Sequence, residues 1–427
     1  MPKPSAAPDT IPIPTDMQIY TVGGAVRDSL LGLPVKDRDF VVVGATPEQM
    51  VALGYTPVGK DFPVFLHPQT HDEYALARTE RKTAPGYRGF VFHADGTVTL
   101  EQDLVRRDLT INAMALAADG TLVDPFGGQT DLAQRLFRHV SDAFAEDPVR
   151  ILRVARFAAR FNEFTVDPST NALMQSMVIA GEVDALVPER VWQELARGLM
   201  EAQPSRMIEV LRDCGALARL LPELDDVWNA PTVSTSVVAG TLCLRSIDIA
   251  AQQNTSLPIR VALLLCPLAM VAPTGGSHAT RTTQLIDAIA SRLKIPNDCR
   301  DLALMTVREH SAVHRVLESA AADLVALVER CDGLRKPERF FDMLQVIDSA
   351  HRVECDQRAA MPQRAFLATA LAAARAVDAG AIAGQLRHSP ELIPQQVRNA
   401  RIEAVERAIA TLRAVDATQL LPRDTNT

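Results

Sequence analysis

The sequence predicts an α+β head, built from a mixed sheet with helices, followed by an all-α neck, body and tail. Up to about residue 140, short apolar segments closed by Gly or Pro alternate with helical patterns, as in a mixed sheet. From about residue 141 onward, apolar residues recur at helical spacing almost to the end of the chain. Aromatic residues make up only 5% of the chain, and Ala, Leu and Arg are abundant, which favours helix.

The length of 427 residues allows two to four domains. We divide the chain into a disordered Pro-rich extension (1–16), the head (17–140), a helical neck (141–205), a helical body (206–330) and a helical tail (331–427). The composition, 47% hydrophobic and 22% charged, is ordinary for a soluble protein. The net charge is −8 and the isoelectric point about 5.7, so a nucleic-acid partner would need a local basic surface.

Cysteine usage and hydropathy favour a cytoplasmic protein that needs no membrane. The six cysteines are scattered without a CxxC pair, which argues against a zinc site or a disulfide framework. The N-terminal stretch MPKPSAAPDTIPIPTD lacks the apolar core of a signal peptide. The most apolar later segment, 261–270, is too short and too interrupted by proline to span a bilayer.

The first chemical motif is YTVGGAVRD, in which an apolar strand runs into a glycine pair and then a helix. At Gly24 the missing Cβ lets backbone N–H groups approach a phosphate closely. Arg27, on the predicted helix, is a cation that could clamp phosphate oxygens with two hydrogen bonds. The simplest role for Asp28 is to orient this arginine. A glycine pair alone usually marks only a turn.

The second motif is KDRDFVVVG, which places Asp37 and Asp39 two residues apart on a predicted strand and therefore on one face. Like charges this close are costly unless a cation lies between them. We interpret the pair as ligands of two Mg²⁺ ions, which would also bind a nucleoside triphosphate and the attacking hydroxyl. Glu73, in the strand DEYALAR, either supplies a third carboxylate or is a plain exposed acid. An isolated DxD is usually only a polar strand start, but here it follows the Gly pair and Arg27.

The motifs VGGAVRD, KDRDF, RRDLTINAMA, DPFGG and EDPVRILRVARF, in this order and spacing, resemble the bacterial CCA-adding enzymes. These are tRNA nucleotidyltransferases of the class II nucleotidyltransferase and poly(A) polymerase superfamily. The likeness is strong over residues 17–230 and weaker beyond. It implies addition of C, C and A to the 3′ end of tRNA from CTP and ATP, with Mg²⁺ and release of pyrophosphate. The implied partner is the acceptor end of tRNA, and no second protein is required.

The motif RRDLTINAMA is predicted to start a helix, with Asp108 and Asn112 on one face at i and i+4. An acid and an amide there could bind a ribose and its 2′-hydroxyl, and so select ribonucleotides. The resemblance assigns Arg107 to the bound nucleotide. Without the other motifs, a solvated helix cap would be the default interpretation.

The neck motif EDPVRILRVARF places Asp147 and Arg150 three residues apart, with Arg153 and Arg156 continuing the row. Cytosine N4 and adenine N6 donate hydrogen bonds to a carboxylate, whereas uracil O4 and guanine O6 are acceptors. One Asp–Arg pair could therefore accept C and A and refuse U and G. The resemblance gives this templating role to Asp147 and Arg150, and places Arg153 and Arg156 against the nucleotide. The alternative is a solvated charged face.

The body departs from the family pattern. Many relatives carry an HD phosphohydrolase domain, but Cys266 and Pro267 stand where its His-Asp pair belongs. His310 and His314 are i, i+4 but lack a convincing third ligand, so we interpret them as surface or RNA-facing residues. We expect a degenerate HD-like body without hydrolase activity, and a tail whose scattered arginines contact tRNA phosphates.

Three alternatives stay open at this level. A bacterial poly(A) polymerase would tend to be longer and to end in a strongly basic tail, which the final TQLLPRDTNT is not. A partial adder, CC-only or A-only, would differ in the segment 78–105, which has the appearance of an intact one. A non-catalytic RNA-binding protein on a dead transferase would have no need of Asp37 and Asp39 together with Arg27.

Overall fold

The computed structural model describes residues 14, 17–58, 64–82, 90–93, 96–232, 237–271, 278–356 and 360–419. They fall into two compact units, one formed by Met1–Glu194 with Glu209–Leu220 and the other by Leu195–Ile208 with Leu221–Thr427. The predicted extension 1–16 lies outside the described residues, apart from Pro14, and so do parts of the segment 78–105. The predicted domain boundaries at 140, 205 and 330 stay predictions.

The first unit contains a mixed seven-stranded sheet with the order β3-β4-β5-β2-β1-β8-β9. Its strands are β1 (Gln18–Val22), β2 (Asp39–Val43), β3 (Thr56–Val58), β4 (Val64–Leu66), β5 (Glu73–Leu76), β8 (Ala115–Ala117) and β9 (Leu122–Val123). Strands β2 and β5 are parallel, and the other neighbours are antiparallel. Two small sheets pair β6 (Thr79–Lys82) with β7 (Phe90–His93) and β10 (Leu136–Phe137) with β11 (Thr165–Val166). The α+β prediction for the head is confirmed.

Both faces of the large sheet are covered, which explains the continuous apolar run of β2. Val41 packs into one apolar cluster with Val22 and Leu104, and its neighbour Val42 packs into a second cluster with Phe65. Successive strand residues point to opposite faces, so a strand buried on both sides loses the polar–apolar alternation. Functional polar side chains of this sheet are therefore expected at its edges and at the ends of its strands.

Short helices connect these strands and continue into the predicted neck. The helices that begin in the first unit are α1 (Gly24–Leu30), α2 (Pro47–Ala52), α3 (Leu100–Leu104), α4 (Gly128–Gln134), α5 (Val149–Arg160), α6 (Pro168–Ile179), α7 (Pro188–Leu199) and α9 (Ala216–Leu220). Thr46 and Thr99 form capping boxes that start α2 and α3. Single turns of 3-10 helix cover Thr110–Asn112, Asp142–Glu146 and Glu182–Ala185.

The described part of the second unit is helical, as predicted for the body and tail. Its helices are α8 (Pro204–Asp213, which ends in the first unit), α10 (Pro222–Val227), α11 (Ala239–Gln252), α12 (Leu257–Leu265), α13 (Pro267–Met270), α14 (His278–Leu293), α15 (Asn297–Arg315), α16 (Ala321–Arg330), α17 (Pro337–Glu354), α18 (Pro362–Arg375), α19 (Ala379–Gln385) and α20 (Ile393–Gln419). Fully buried Leu263, Phe340 and Ile347 mark its core.

One helical stretch, Pro362–Gln385, is long and apolar enough to cross a membrane by length and composition. It is broken between α18 and α19, and one face of α18 is buried through Leu367 and Ala370. Core helices of soluble proteins pass the same test, so a single stretch of this kind is weak evidence for a membrane span.

The body histidines are not the surface residues that the sequence predicts. His310 and His314 are partly buried and approach each other to 3.2 Å between their Nε2 atoms, and the ring of His351 packs on His314. Burial, together with the neighbouring His314 and His351, lowers the pKa of His310 to about 4. Cys266 is buried, which raises the pKa of its thiol to about 12. The loss of hydrolase activity stays a prediction.

Candidate active site

The predicted acidic residues gather at one edge of the large sheet, where β1 ends and β2 and β5 begin. Val22 pairs with Asp39 in the antiparallel β1–β2 ladder, and Asp39 pairs with Glu73 in the parallel β2–β5 ladder. Asp37 precedes β2 and is not part of the strand, because pairing with β1 stops at Asp39. The prediction that both aspartates lie on one strand is therefore wrong for Asp37, although both side chains are exposed at this edge.

The electrostatics of Asp39 suit a cation site. Partial desolvation raises the pKa of its carboxyl; Asp37 raises it further, while Arg107 and Arg153 oppose the shift. Across the described residues, no three His, Cys, Asp or Glu side chains converge closely enough to hold a metal. Glu73 thus has the right strand position but does not complete a three-carboxylate set. Two carboxylates with open positions fit Mg²⁺, which keeps several waters and binds substrate phosphates.

The glycine turn lets two arginines lie against the end of β1. Gly23 has a φ of 68°, which favours glycine, and a Cβ there would lie 3.1 Å from Nη1 of Arg107. Gly24 is the first residue of α1, and a Cβ there would lie 3.4 Å from Nη2 of Arg27. The two glycines therefore bring the predicted phosphate-binding turn, Arg27 and Arg107 together.

Arg27 is held firmly and is only 3% exposed. Its Nε donates to Oδ1 of Asp28 at 2.9 Å, and its Nη1 donates to Oδ1 of Asn112 at 2.6 Å. The guanidinium also lies 5.1 and 5.0 Å from the ring centroids of Phe157 on α5 and Phe161, the residue that follows α5. Burial lowers the pKa of Arg27, and Asp28 counteracts that shift. The pairing of Asp28 with Arg27 agrees with the sequence-based interpretation.

The segment around Asp108 differs from the predicted helix start. Leu109 is extended and only Thr110–Asn112 form a single 3-10 turn, because the backbone N–H of Thr110 bonds to Arg138 instead of continuing a helix. Nδ2 of Asn112 still donates to Oδ1 of Asp108, at 3.0 Å. The Asn112 amide therefore bridges Arg27 and Asp108 inside the protein.

Asp108 connects this bridge to the neck. Its Oδ2 accepts hydrogen bonds from Nε and Nη2 of Arg153 at 2.8 and 2.7 Å. Burial alone would raise the pKa of the Asp108 carboxyl, but Arg153, Asn112 and the N–H of Leu109 together hold it well below its usual range. Asp108 is thus a buried anion that aligns the neck arginine.

Asp103 is a site residue that sequence reasoning missed. Its side chain is fully buried and accepts hydrogen bonds from the guanidinium groups of both Arg106 and Arg107. Despite its burial, which by itself raises the pKa, these two arginines lower the pKa of Asp103. In LEQDLVRRD, Arg106 and Arg107 follow Asp103 by three and four residues, and this helical spacing is the sequence signal that could have identified Asp103.

The row of neck arginines along α5 has separate partners. Arg150 is buried and donates to the carbonyl oxygens of Ala143 (2.7 Å) and Arg106 (2.6 Å). Arg156 donates to Glu194 on α7 at 2.6 Å. Arg160, which sequence reasoning also missed, donates to Asp28 at 2.7 Å. Arg150 and Arg160 thereby join the neck helix to the head, whereas Arg156 joins α5 to α7.

The predicted template acid Asp147 lies between the 3-10 turn Asp142–Glu146 and α5. Its Oδ1 accepts the backbone N–H of Val149 at 3.1 Å, and its Oδ2 accepts Nη2 of Arg190 at 3.1 Å. Arg190 and Glu194 on α7 were not predicted, because no spacing in the sequence links them to residues about 40 positions earlier.

Comparisons with known proteins agree with this geometry. The family "Poly A polymerase head domain" matches residues 19–138, and "Probable RNA and SrmB-binding site of polymerase A" matches residues 163–227. A multifunctional CCA protein of Herminiimonas arsenicoxydans is 60% identical over 407 residues, which cover 92% of this chain and 98% of that protein. The chain belongs to the multifunctional CCA protein family. Nucleotidyltransferases of this family depend on divalent metal.

Solved structures show the same fold as this multifunctional CCA protein family member. A Thermotoga maritima CCA-adding enzyme in complex with tRNA has a TM-score of 0.61 and 20% identity, with 93% of this chain and 92% of that chain covered. A Bacillus stearothermophilus CCA-adding enzyme in complex with CTP has a TM-score of 0.59 and 22% identity, with 94% of both chains covered. At these identities the likeness establishes the fold.

Proposed function

We propose that this protein adds C, C and A to the 3′ end of tRNA from CTP and ATP, with release of pyrophosphate. The observation that carries the proposal is the sheet edge at which the exposed acids Asp37 and Asp39 meet the Gly23-Gly24 turn and Arg107, in a chain 60% identical to a multifunctional CCA protein. We place the reaction in the bacterial cytoplasm, where tRNA matures.

Asp37 and Asp39 are proposed to hold Mg²⁺. When bound, the metal supplies charge neutralisation at the phosphates and lowers the pKa of the attacking tRNA 3′-hydroxyl. Two exposed carboxylates close enough for Asp37 to raise the pKa of Asp39 support this, because like charges this close favour a cation between them. Glu73 pairs with Asp39 in the β2–β5 ladder, but its carboxylate is not part of the proposed metal site. Gly24 and Arg107 are proposed to orient the triphosphate beside these acids.

Arg27, Asp108 and Asn112 are proposed to position the nucleotide, mainly through the buried chain that they form. Arg27 holds Asn112, Asn112 holds Asp108, and Asp108 holds Arg153. A rigid series of hydrogen bonds of this kind fixes the positions of the polar groups that face the ribose and the phosphates. Arg153, with its side chain 39% exposed, is the member best placed to reach substrate.

Base selection is proposed for Asp147 and Arg150. In this structure Arg150 is buried and its Nη1 and Nη2 donate to the carbonyl oxygens of Ala143 and Arg106, so it must exchange one of these bonds to donate to a base. Arg156 donates to Glu194. A carboxylate accepts from the amino groups of cytosine and adenine, and a guanidinium donates to cytosine N3 and O2 or adenine N1. Both bases are thus read by one set of donors and acceptors, while uracil and guanine present acceptors to the carboxylate. Asp147 is partly exposed and available for this contact.

The test is a direct one. The protein is incubated with Mg²⁺ and tRNA transcripts that end at the discriminator base, with each nucleotide alone and in combination, and the products are sequenced. Ends that read CCA and stop there, with U and G refused, support the proposal, and Asp39→Asn should abolish extension. Long A tails would indicate a poly(A) polymerase, and a stop at CC a partial adder. No extension would favour a non-catalytic RNA-binding protein. The multifunctional CCA relatives favour full CCA addition over these alternatives.

A further inference from the structure

We propose that a cavity beside the C-terminal end of α1 binds a small aromatic anion, and that the bound anion lowers activity at the sheet edge. The cavity, called the α1 pocket below, is lined by residues from the segments 31–36, 132–135 and 160–164, all in the first unit. Its volume is about 510 Å³. Sites for small organic ligands occupy roughly 300–1,000 Å³, so the α1 pocket is large enough for one.

The charged side chains around the α1 pocket favour an anion. Lys36, Arg135 and Arg160 line it, and the one acid among its described lining residues, Glu163, already pairs with Arg135. Lys36 is exposed and has no ion pair within the part of the chain that the structure describes. Arg160 donates from Nη2 to Asp28 at 2.7 Å, and its guanidinium has further N–H groups that can bind a second anion. Lys36 and Arg160 are therefore the two cations available to a ligand.

The apolar lining of the α1 pocket favours a ligand with a flat apolar body. The rings of Phe161 and Phe164 have centroids 5.6 Å apart, and the guanidinium carbon of Arg160 lies 4.8 Å from the centroid of Phe161. Leu33, another lining residue, is 39% exposed and gains from being covered. A small inorganic anion would leave this apolar surface in contact with water. An aromatic ring that carries a carboxylate, sulfonate or phosphate matches both the apolar lining and the two cations.

Two connections lead from the α1 pocket to the active site. Lys36 immediately precedes Asp37, so an anion bound to Lys36 acts on the segment that carries a proposed metal ligand. Arg160 donates to Oδ2 of Asp28, whose Oδ1 accepts from Nε of Arg27 at 2.9 Å. An anion on Arg160 competes with Asp28 for the same guanidinium and weakens the hold on Arg27. The bound anion should therefore slow nucleotide addition, and this part of the inference rests on the proposed function.

The binding test titrates the full-length protein with 8-anilinonaphthalene-1-sulfonate, an aromatic anion, and with the uncharged dye N-phenyl-1-naphthylamine, and follows the fluorescence of each. Lys36→Gln should weaken sulfonate binding about fivefold, since the lost ion pair is partly open to water, and should leave binding of the uncharged dye unchanged. Leu33→Ser should weaken binding of both dyes. Lys336→Gln and Leu30→Ser replace exposed residues outside the pocket and are the matched controls, which should change neither Kd.

Equal sulfonate Kd values for Lys36→Gln and Lys336→Gln would overturn the inference, as would displacement of all bound sulfonate by CTP with Mg²⁺, which would place the dye in the active site. The activity test compares each protein with and without saturating sulfonate. In the wild type, kcat/KM for CTP should fall about fivefold, and at the same dye concentration the fall should be smaller in Lys36→Gln. An unchanged kcat/KM in wild type with dye bound would refute the effect on activity. A wild-type protein that adds nothing to tRNA refutes the proposed function, whereas the dye titration still decides whether the α1 pocket binds the anion.

Discussion

Replacement of Asp108 by Asn tests whether the buried chain between head and neck is structurally essential. The substitution keeps the shape of the side chain and removes its charge. In the native protein, Oδ2 accepts two hydrogen bonds from Arg153 at 2.7 and 2.8 Å, and Oδ1 accepts from Leu109 and Asn112. An asparagine can still accept at one oxygen, but its amide N–H groups would face the donors of Arg153.

The expected loss of stability follows from the burial of Asp108 and from the number of hydrogen bonds that the substitution removes. Removing one partner of a fully buried ion pair costs roughly 3–5 kcal/mol, and each hydrogen bond to a charged group contributes roughly 1.5–3 kcal/mol. The side chain of Arg153 is 39% exposed, so water replaces part of what it loses. We therefore expect Asp108→Asn to destabilise the first unit by about 2–4 kcal/mol.

The dependence on pH has a definite sign. The folded-state pKa of Asp108 lies below its unfolded value of about 3.9, so its stabilisation is fully present above pH 4 and is lost as pH falls through the folded pKa. The difference in the free energy of unfolding between wild type and Asp108→Asn should therefore be constant from pH 5 to pH 8 and should shrink in acid.

Hydrogen exchange with mass spectrometry is the suitable assay, because peptides from residues 100–160 report on the first unit separately. Asp184→Asn is the matched control: its partner Arg219 is about half exposed, and we expect a loss of no more than about 1 kcal/mol. A loss of protection in Asp108→Asn no greater than that in Asp184→Asn would refute the proposed role of the buried chain.

Three further predictions concern the metal site, the body and the head. Asp39→Asn should reduce pyrophosphate release roughly a thousandfold without lowering the melting temperature, because an exposed metal ligand is lost. Between pH 7 and pH 5 the second unit should lose about 2 kcal/mol of stability, since His310 has a folded pKa of about 4 and the unfolded chain takes up the proton first. Gly128→Ala should destabilise the head by about 1–3 kcal/mol, because its Cβ would overlap the carbonyl oxygen of Thr110, whereas Gly96→Ala meets only ordinary contacts.

Each of these has an outcome that contradicts it. Pyrophosphate release by Asp39→Asn at the wild-type rate would exclude that carboxylate from metal binding. Equal pH dependence in the wild type and His310→Asn, followed by urea unfolding of the second unit, would exclude the histidine as the titrating group. Equal melting temperatures for Gly128→Ala and Gly96→Ala would mean that α4 moves freely away from the 3-10 turn.

Elements with strong local patterns were predictable from sequence. The glycine turn after β1, the strand that carries Glu73, and the helical neck and body follow from hydrophobic periodicity and from Gly and Pro positions. The parallel pairing of that strand with β2 does not. The pairing of Asp28 with Arg27 also follows, because adjacent side chains of opposite charge at a helix start can interact locally. Where a pattern was weak, as at Leu109, the predicted helix gave way to a single turn whose backbone bonds to a distant segment.

By itself, the sequence determined the fold class, the motif set and the residue types of the site, since these depend on composition, spacing and order along the chain. Only the tertiary structure decided which partner each charge takes. Asp147 accepts from Arg190, Arg153 donates to Asp108, and Arg160 donates to Asp28, across separations of 43, 45 and 132 residues. A charged side chain at a buried or half-buried position must find a partner, but sequence spacing ranks partners only within one or two helical turns. Which distant helix supplies the partner is set by packing.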